Sequence, residues 1–157
     1  MYAEARRIRS LIKSCYEGPA WHGPAVLEAL EGLTAADVHH RMNGSHNIIE
    51  LVYHMASWKL FVLKKLEGDM DFDVVGDINF VRFDQPTRPD WERECARLQE
   101  MQDVLMERLK RVEDSTLVEG VPGRSYNFFF LLTSIVNHDL YHLGQIIQLK
   151  KYKPVTV

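Results

Sequence analysis

The spacing of apolar positions divides the chain into helices. Four segments carry apolar side chains at intervals of three and four residues, which is the pattern of a helix with one buried face. They are a broken first helix ending at Leu30, helix 2 at 48–67, helix 3 at 91–112 and helix 4 at 127–150. No segment shows the alternation typical of a half-buried strand, so the pattern predicts an all-α four-helix bundle.

Residues at the segment ends support these boundaries. The first helix is interrupted at Gly18-Pro19. Asn47 followed by Glu50 is typical of a capping box at the start of helix 2, which Gly68 should end. Asp90 is expected to cap helix 3. The connections are expected at 32–45, with one turn capped by Thr34, at 69–89 and at 114–125.

Composition indicates one ordinary globular domain spanning residues 1–157. The chain is 46% hydrophobic and 26% charged, with a net charge of −3, so neither nucleic acid nor an anionic membrane is an expected partner. No apolar run approaches the roughly 20 residues that span a bilayer, and the N-terminus lacks the apolar segment of a signal peptide. Cys15 and Cys95 form no disulfide framework. We therefore expect a cytoplasmic protein with reduced thiols.

Two histidines occupy core positions of helix 4. The apolar stripe of this helix consists of Leu131, Ile135, His138, His142, Gln145 and Leu149. Histidines four residues apart lie on one helical face, one turn from each other. Burying two imidazoles is unfavourable unless their nitrogens are satisfied, and a transition metal satisfies them well. As an isolated pair, however, His138 and His142 would more often be hydrogen-bonded core histidines.

A third histidine, His54, lies on the buried face of helix 2 together with Leu51, Trp58 and Val62. Three core-facing histidines on two helices predict a three-histidine metal site with an open coordination position. That arrangement is typical of catalytic rather than structural sites.

The depths of these histidines along their helices favour one topology. His54 lies about six residues after the start of helix 2, and His142 about eight residues before the end of helix 4. At about 1.5 Å per residue the two depths agree within a turn if the helices are antiparallel. The long 68–90 connection can cross along the bundle, so we expect an up-down-down-up topology.

Three further residues are candidates for the surroundings of the metal. His22 is expected near the level of the ion as a fourth ligand, proton shuttle or pocket wall, or else as a helix-start histidine bonded to backbone or solvent. Gln145 could bond a ligand ring or serve as an interhelical partner. Trp58 could wall the pocket or only pack in the core. The other histidines, which are His39, His40 and His46, are expected at the surface.

Several stretches of the chain resemble the DinB/YfiT-like family of proposed metalloenzymes. The resemblance is carried by residues 16–24, which include Trp21-His22-Gly23-Pro24, and by 27–33, 48–58 and 138–146. Within that family the chain resembles the subgroup with a Trp-His-Gly-Pro start. It departs from the family in having Asn47 where a serine is usual, which affects capping only.

The resemblance implies both a fold and a chemistry. It implies an up-down-down-up four-helix bundle, often dimeric, with a divalent metal, commonly nickel or zinc, on His54, His138 and His142. It further implies thiol-dependent S-transfer to a small-molecule substrate, with a low-molecular-weight thiol such as bacillithiol or mycothiol as co-substrate. Two alternatives remain open, a metal-dependent hydrolase and a non-catalytic, stress-related metal-binding protein.

Overall fold

The computed structural model describes residues 4–42 and 44–151. In this part of the chain there are seven α-helices, one 3₁₀ turn at Gly76–Ile78 and no strand. The helices are α1 (Glu4–Glu17), α2 (Val26–Leu30), α3 (Ala35–Val38), α4 (Ile48–Leu66), α5 (Arg88–Leu109), α6 (Asp114–Leu117) and α7 (Phe128–Lys151). The predicted all-α class is confirmed.

Most of the predicted boundaries agree with the structure. The broken first helix corresponds to α1 and α2, and the single turn after Thr34 corresponds to α3. At the start of α4, the Asn47 side chain accepts a hydrogen bond from the Glu50 N–H at 3.1 Å, as the capping box requires. Gly68, just past α4, has φ of +91°, a conformation that glycine adopts without strain.

The predicted start and end of helix 3 were wrong. The cap of α5 is Thr87, whose Oγ1 accepts from the Asp90 N–H at 3.3 Å, while the Asp90 carboxylate accepts from the Thr87 N–H at 2.9 Å. Asp90 is therefore the third helical residue, and Pro89 stands in the first turn, where its missing N–H is harmless. The helix ends at Leu109 rather than Val112.

The 114–125 connection is also more ordered than expected, because it contains the single-turn helix α6. Leu117, the last residue of α6, is only 3% exposed and belongs to a core cluster. Burial of this side chain gives the turn a tertiary contact that the sequence pattern does not reveal.

The buried apolar side chains form two clusters, one toward each end of the long helices. One contains the late residues of α4 with the early residues of α7, including Val62, Leu63, Leu131 and Leu132. The other contains the early residues of α4 with the late residues of α7, including Ile48, Ile49, Ile146 and Leu149. Between these two apolar layers the same two helices carry buried polar side chains, including His54, Lys59, Asp139 and His142.

Contacts between α4 and α5 follow the same order along both helices. The Arg97 guanidinium donates to the Tyr53 carbonyl at 3.1 Å and to the Ser57 hydroxyl at 2.9 Å. About three turns later, the Arg108 guanidinium donates to the Leu66 carbonyl at 2.7 Å.

No helix in the described ranges is long and apolar enough to cross a membrane.

Candidate metal centre

Three histidines from two helices, one on α4 and two on α7, meet between the two core clusters. Nε2 of His138 lies 3.0 Å from Nε2 of His54 and 3.2 Å from Nε2 of His142. One ring nitrogen from each residue lies within 4.8 Å of the corresponding atoms of the others. His54 and His142 are each 6% exposed, and His138 is partly buried. The three predicted ligands are thus brought together.

Hydrogen bonds on the far side of two rings determine which nitrogens face the centre. Nδ1 of His54 lies 3.0 Å from the Asn79 carbonyl oxygen, which can only accept, so Nδ1 carries the proton and Nε2 presents a lone pair. Nδ1 of His142 likewise donates to Oε1 of Gln145 at 2.7 Å. Gln145 therefore makes the ligand-orienting contact that its position one turn from His142 suggests.

The third ring shows that a cation fits the centre better than a proton does. A proton on Nε2 of His138 can point at only one of the two lone pairs that face it. A divalent ion, in contrast, accepts three lone pairs at once. Two nitrogens bound to one ion at about 2.1 Å each lie at most about 4.2 Å apart, and the measured 3.0 and 3.2 Å satisfy that limit. The residues fit a metal.

The surroundings keep these imidazoles neutral. Burial lowers the pKa of His54 to about 4 and that of His138 to about 2, with a further contribution from neighbouring histidines. Burial also lowers the pKa of His142. Neutral imidazole is the form that binds metal, so the site is ready to coordinate at neutral pH.

Aromatic rings shield two sides of the group. Phe80 stacks on His54 with ring centroids 4.0 Å apart, and His46 stacks on the other face of Phe80 at 3.6 Å. Trp58 packs edge-on to His54 at 6.1 Å and lies 5.6 Å from His138. Trp58 and His138 also line a common cavity of about 250 Å³. Trp58 is therefore both a packing partner of the histidines and a cavity wall.

A buried carboxylate fastens the 77–83 segment to α4 and so holds Asn79 and Phe80 against His54. The Glu50 carboxylate accepts from the Arg41 guanidinium and from the Phe83 N–H, the latter at 2.8 Å. Burial by itself raises the pKa of Glu50, but these hydrogen bonds outweigh it and lower the pKa to about 2. Glu50 is therefore ionised, and its contacts stay intact across the physiological range.

The remaining histidines lie outside the group. His22 is exposed in the turn between α1 and α2 and is not among the grouped residues. His46 is exposed as expected, yet it also contacts the site through Phe80. His39 and His40, expected at the surface, are only half exposed, with ring centroids 4.0 Å apart.

Two contributors to the site, Asn79 and Phe80, lie in a segment for which the sequence pattern predicts no regular structure. Asn79 orients His54 through its backbone carbonyl, which is the same for every residue type and leaves no trace in the sequence. Phe80 is one aromatic residue in a stretch without periodicity. The one indirect signal is Glu50 among the apolar residues of α4, because a buried carboxylate needs partners from another segment.

Comparison with known proteins places the chain in a family. A family model described as the DinB superfamily matches residues 20–146, a range that contains all three grouped histidines. This chain belongs to the DinB superfamily. No curated protein and no solved structure matches it. Family membership and the three-histidine group are both compatible with a metal-binding enzyme.

Acidification should destabilise the metal-free protein through His54. The unfolded chain binds a proton near pH 6.5, whereas the folded chain resists protonation until about pH 4, because the ring is buried. The free energy of unfolding therefore falls as pH decreases through this window, by about 2 kcal/mol between pH 6.5 and 5 for this residue. Urea unfolding at several pH values should show a shallower decline for His54→Leu than for the wild type. Equal slopes would contradict the prediction.

Removing the amide of Gln145 should weaken metal binding. Gln145→Ala leaves Nδ1 of His142 without its acceptor, so the ring loses its fixed orientation and part of its basicity. We expect metal affinity to fall by about 10- to 100-fold, measured by competition with a chelating indicator. Gln148→Ala, an exposed position one turn further along α7, is the control and should bind metal like the wild type. Equal affinity of the two variants would show that Gln145 does not support the ligand.

Proposed function

We propose that this protein is a divalent-metal-dependent enzyme of the thiol-dependent S-transferase type, with the ion held by His54, His138 and His142. The observation that carries the metal proposal is the convergence of three Nε2 atoms, two of them with their lone pairs directed inward by Nδ1–H bonds. Nickel and zinc are the proposed metals, because imidazole suits both.

The proposed roles follow from the contacts of each residue. When bound, a divalent ion on three neutral imidazoles supplies a positive charge that lowers the pKa of a thiol or water and holds the resulting anion. The Asn79 carbonyl and the Gln145 amide hold two rings in orientation. Phe80 and Trp58 pack against the imidazoles and reduce their contact with solvent, which strengthens electrostatic interactions at the site.

The nucleophile is proposed to come from outside the protein. Burial raises the pKa of Cys15 to about 11 and that of Cys95 to about 12, so both stay protonated at neutral pH, and neither belongs to the histidine group. A low-molecular-weight thiol can supply the missing sulfur. In the proposed reaction its sulfur bonds to an electrophilic carbon as the leaving group departs with the bond electrons, and the thiol proton passes to the leaving group or solvent.

The cavity beside His138 favours an enzyme over a non-catalytic metal protein. A closed, dry site would have suited a structural ion, but here about 250 Å³ of space adjoins a ligand histidine. A metal-dependent hydrolase shares this geometry and is the second candidate. Dependence of turnover on an added thiol separates the two enzymes, because a hydrolase needs none.

The assembly is proposed to be an up-down-down-up bundle. The parallel order of contacts between α4 and α5 supports it, as does the clustering of early α4 residues with late α7 residues. For α1, the Ala5 N–H donates to Asp114 beyond the end of α5, and the Tyr16 hydroxyl donates to Gln99 on α5. We also propose that the chain belongs to the Trp-His-Gly-Pro subgroup, that it forms a homodimer and that it is located in the cytoplasm.

Thiol titration of cobalt-substituted protein tests the transferase proposal. A thiol that coordinates loses its proton and becomes a soft anionic ligand, so a sulfur-to-cobalt charge-transfer band should appear with the correct thiol. The same thiol should support conjugation to a simple electrophile, and His54→Ala should abolish both signals. A panel of bacillithiol, mycothiol and glutathione giving neither band nor turnover would overturn the proposal and favour the hydrolase or the non-catalytic alternative.

A further inference from the structure

The cavity beside His138 has a wall suited to a particular class of compound. Apart from His138, its lining residues are of uncharged types, and most of them are aromatic or aliphatic. The residues that define its character are Trp58, Val62, Tyr126, Phe130, Ser134 and Ile135. A charged ligand body would lose its hydration here without gaining a counter-ion, so the wall selects against it.

The volume of the cavity limits the size of the ligand. An engineered apolar cavity of about 150 Å³ accommodates benzene. At about 250 Å³, the cavity beside His138 has room for two fused rings or for one ring with a short substituent. Binding pockets of this kind combine apolar walls with a few polar groups that fix the orientation of the ligand.

Two hydroxyl groups supply that polar component. Tyr126 and Ser134 both line the cavity, on opposite sides of Phe130 in the sequence, and neither side chain has a hydrogen-bond partner in the described part of the chain. Thr133, adjacent to Ser134, differs in that its hydroxyl is already bonded to the Phe129 carbonyl at 2.8 Å. The free hydroxyls can donate to or accept from one neutral polar group of a ligand.

We propose that this cavity binds an uncharged aromatic compound of one or two rings that carries a single hydroxyl or carbonyl group, next to the histidine centre. As a description of the acceptor substrate this rests on the proposed transferase function, whereas the binding itself does not. Trp58 offers a ring face or edge against the ligand and links the cavity to His138, so a bound electrophile would lie beside the metal ligands.

Calorimetric titration with matched naphthalene probes tests the proposal. The probes are 2-naphthalenemethanol, which is neutral, and 2-naphthoate, which has the same ring system and a negative charge. We expect the alcohol to bind metal-free protein at least 10-fold more tightly than the carboxylate, and to bind metal-loaded protein within 3-fold of that affinity. Using metal-free protein removes direct coordination of the carboxylate to the ion. Equal or tighter binding of the carboxylate to metal-free protein would overturn the proposal.

Variants on one helix locate the binding. Ser134→Phe should fill the cavity and weaken binding of the alcohol at least 10-fold, whereas Thr133→Phe, its neighbour outside the cavity lining, should change it less than 2-fold. Equal effects of the two variants would overturn the location. The probe comparison on the wild-type protein stands even if Ser134→Phe does not fold. Metal content and the cobalt–thiol band, measured on the same preparations, report separately on the proposed function.

Discussion

His138→Ala should lower the affinity for a divalent ion by more than about 100-fold, a larger loss than removal of an orienting residue produces. His138 contributes the nitrogen that lies within 3.2 Å of Nε2 of both His54 and His142, so its removal leaves only two of the three nitrogens that could hold an ion. Purified wild-type protein should carry close to one ion per chain. Elemental analysis after gel filtration in the presence of a weak chelator measures the difference.

His46→Ala is the matched control for this loss. His46 is also an imidazole stacked near the site, but Phe80 lies between it and His54, and it is not in the group. Its removal should leave the metal content unchanged. If the variant that replaces His54, His138 and His142 together by alanine retained full occupancy, the ion would be bound elsewhere and the assignment of the centre would be wrong.

The histidine group could be predicted because it lies on the two most regular helices. On α4 and α7 the buried face repeats every three to four residues, so a polar residue in that register is a visible exception. His54, His138 and His142 are such exceptions, and the structure brings their nitrogens together. Gln145 could be predicted on the same basis, since a residue one turn from His142 shares its face.

The contacts that orient the group could not be predicted in the same way. Asn79 acts through its backbone carbonyl and Phe80 through stacking on His54. Both lie in a segment without a regular spacing of apolar residues, so the sequence does not show which way they face. The start of α5 was misplaced for a related reason, because Thr87 and Asp90 both satisfy the requirements of a cap and only the hydrogen bonds distinguish them. His22 was expected near the ion from depth alone, but the turn that carries it is exposed.

A buried ion pair next to the centre was also missed. Nζ of Lys59 lies 2.5 Å from Oδ2 of Asp139, with both side chains at most 2% exposed. A lysine between apolar residues of a helix is usually interpreted as a solvated side chain, because its long stem can reach the surface. Nothing in the sequence shows that Lys59 instead points at an acid on α7. The pair lies in the layer between the two apolar clusters, so it bears on the stability of the whole helical fold.

Breaking this buried pair should destabilise the fold far more than breaking an ion pair at the surface. Lys59→Met leaves a carboxylate that is fully buried, and burial already raises the pKa of Asp139 in spite of the lysine. Asp139→Leu leaves a buried ammonium. Each single change should lower the free energy of unfolding by about 3–5 kcal/mol, whereas the double variant should recover most of the loss, because two apolar side chains need no counter-ion. Urea unfolding of the wild type, the two single variants and the double variant gives the coupling free energy between Lys59 and Asp139 directly.

An exposed pair on the same chain provides the comparison. Arg88 and Glu92 lie one turn apart on α5, with 85% and 58% of their side chains exposed, and the same double-mutant cycle should give a far smaller coupling free energy, because solvent screens both charges. Losses under about 1 kcal/mol for both Lys59→Met and Asp139→Leu would mean that water or relaxation compensates the buried charges. Metal content measured on folded Lys59→Met separates two roles that the pair could have. Retained metal would show that the pair stabilises the fold without positioning His138, the residue adjacent to Asp139.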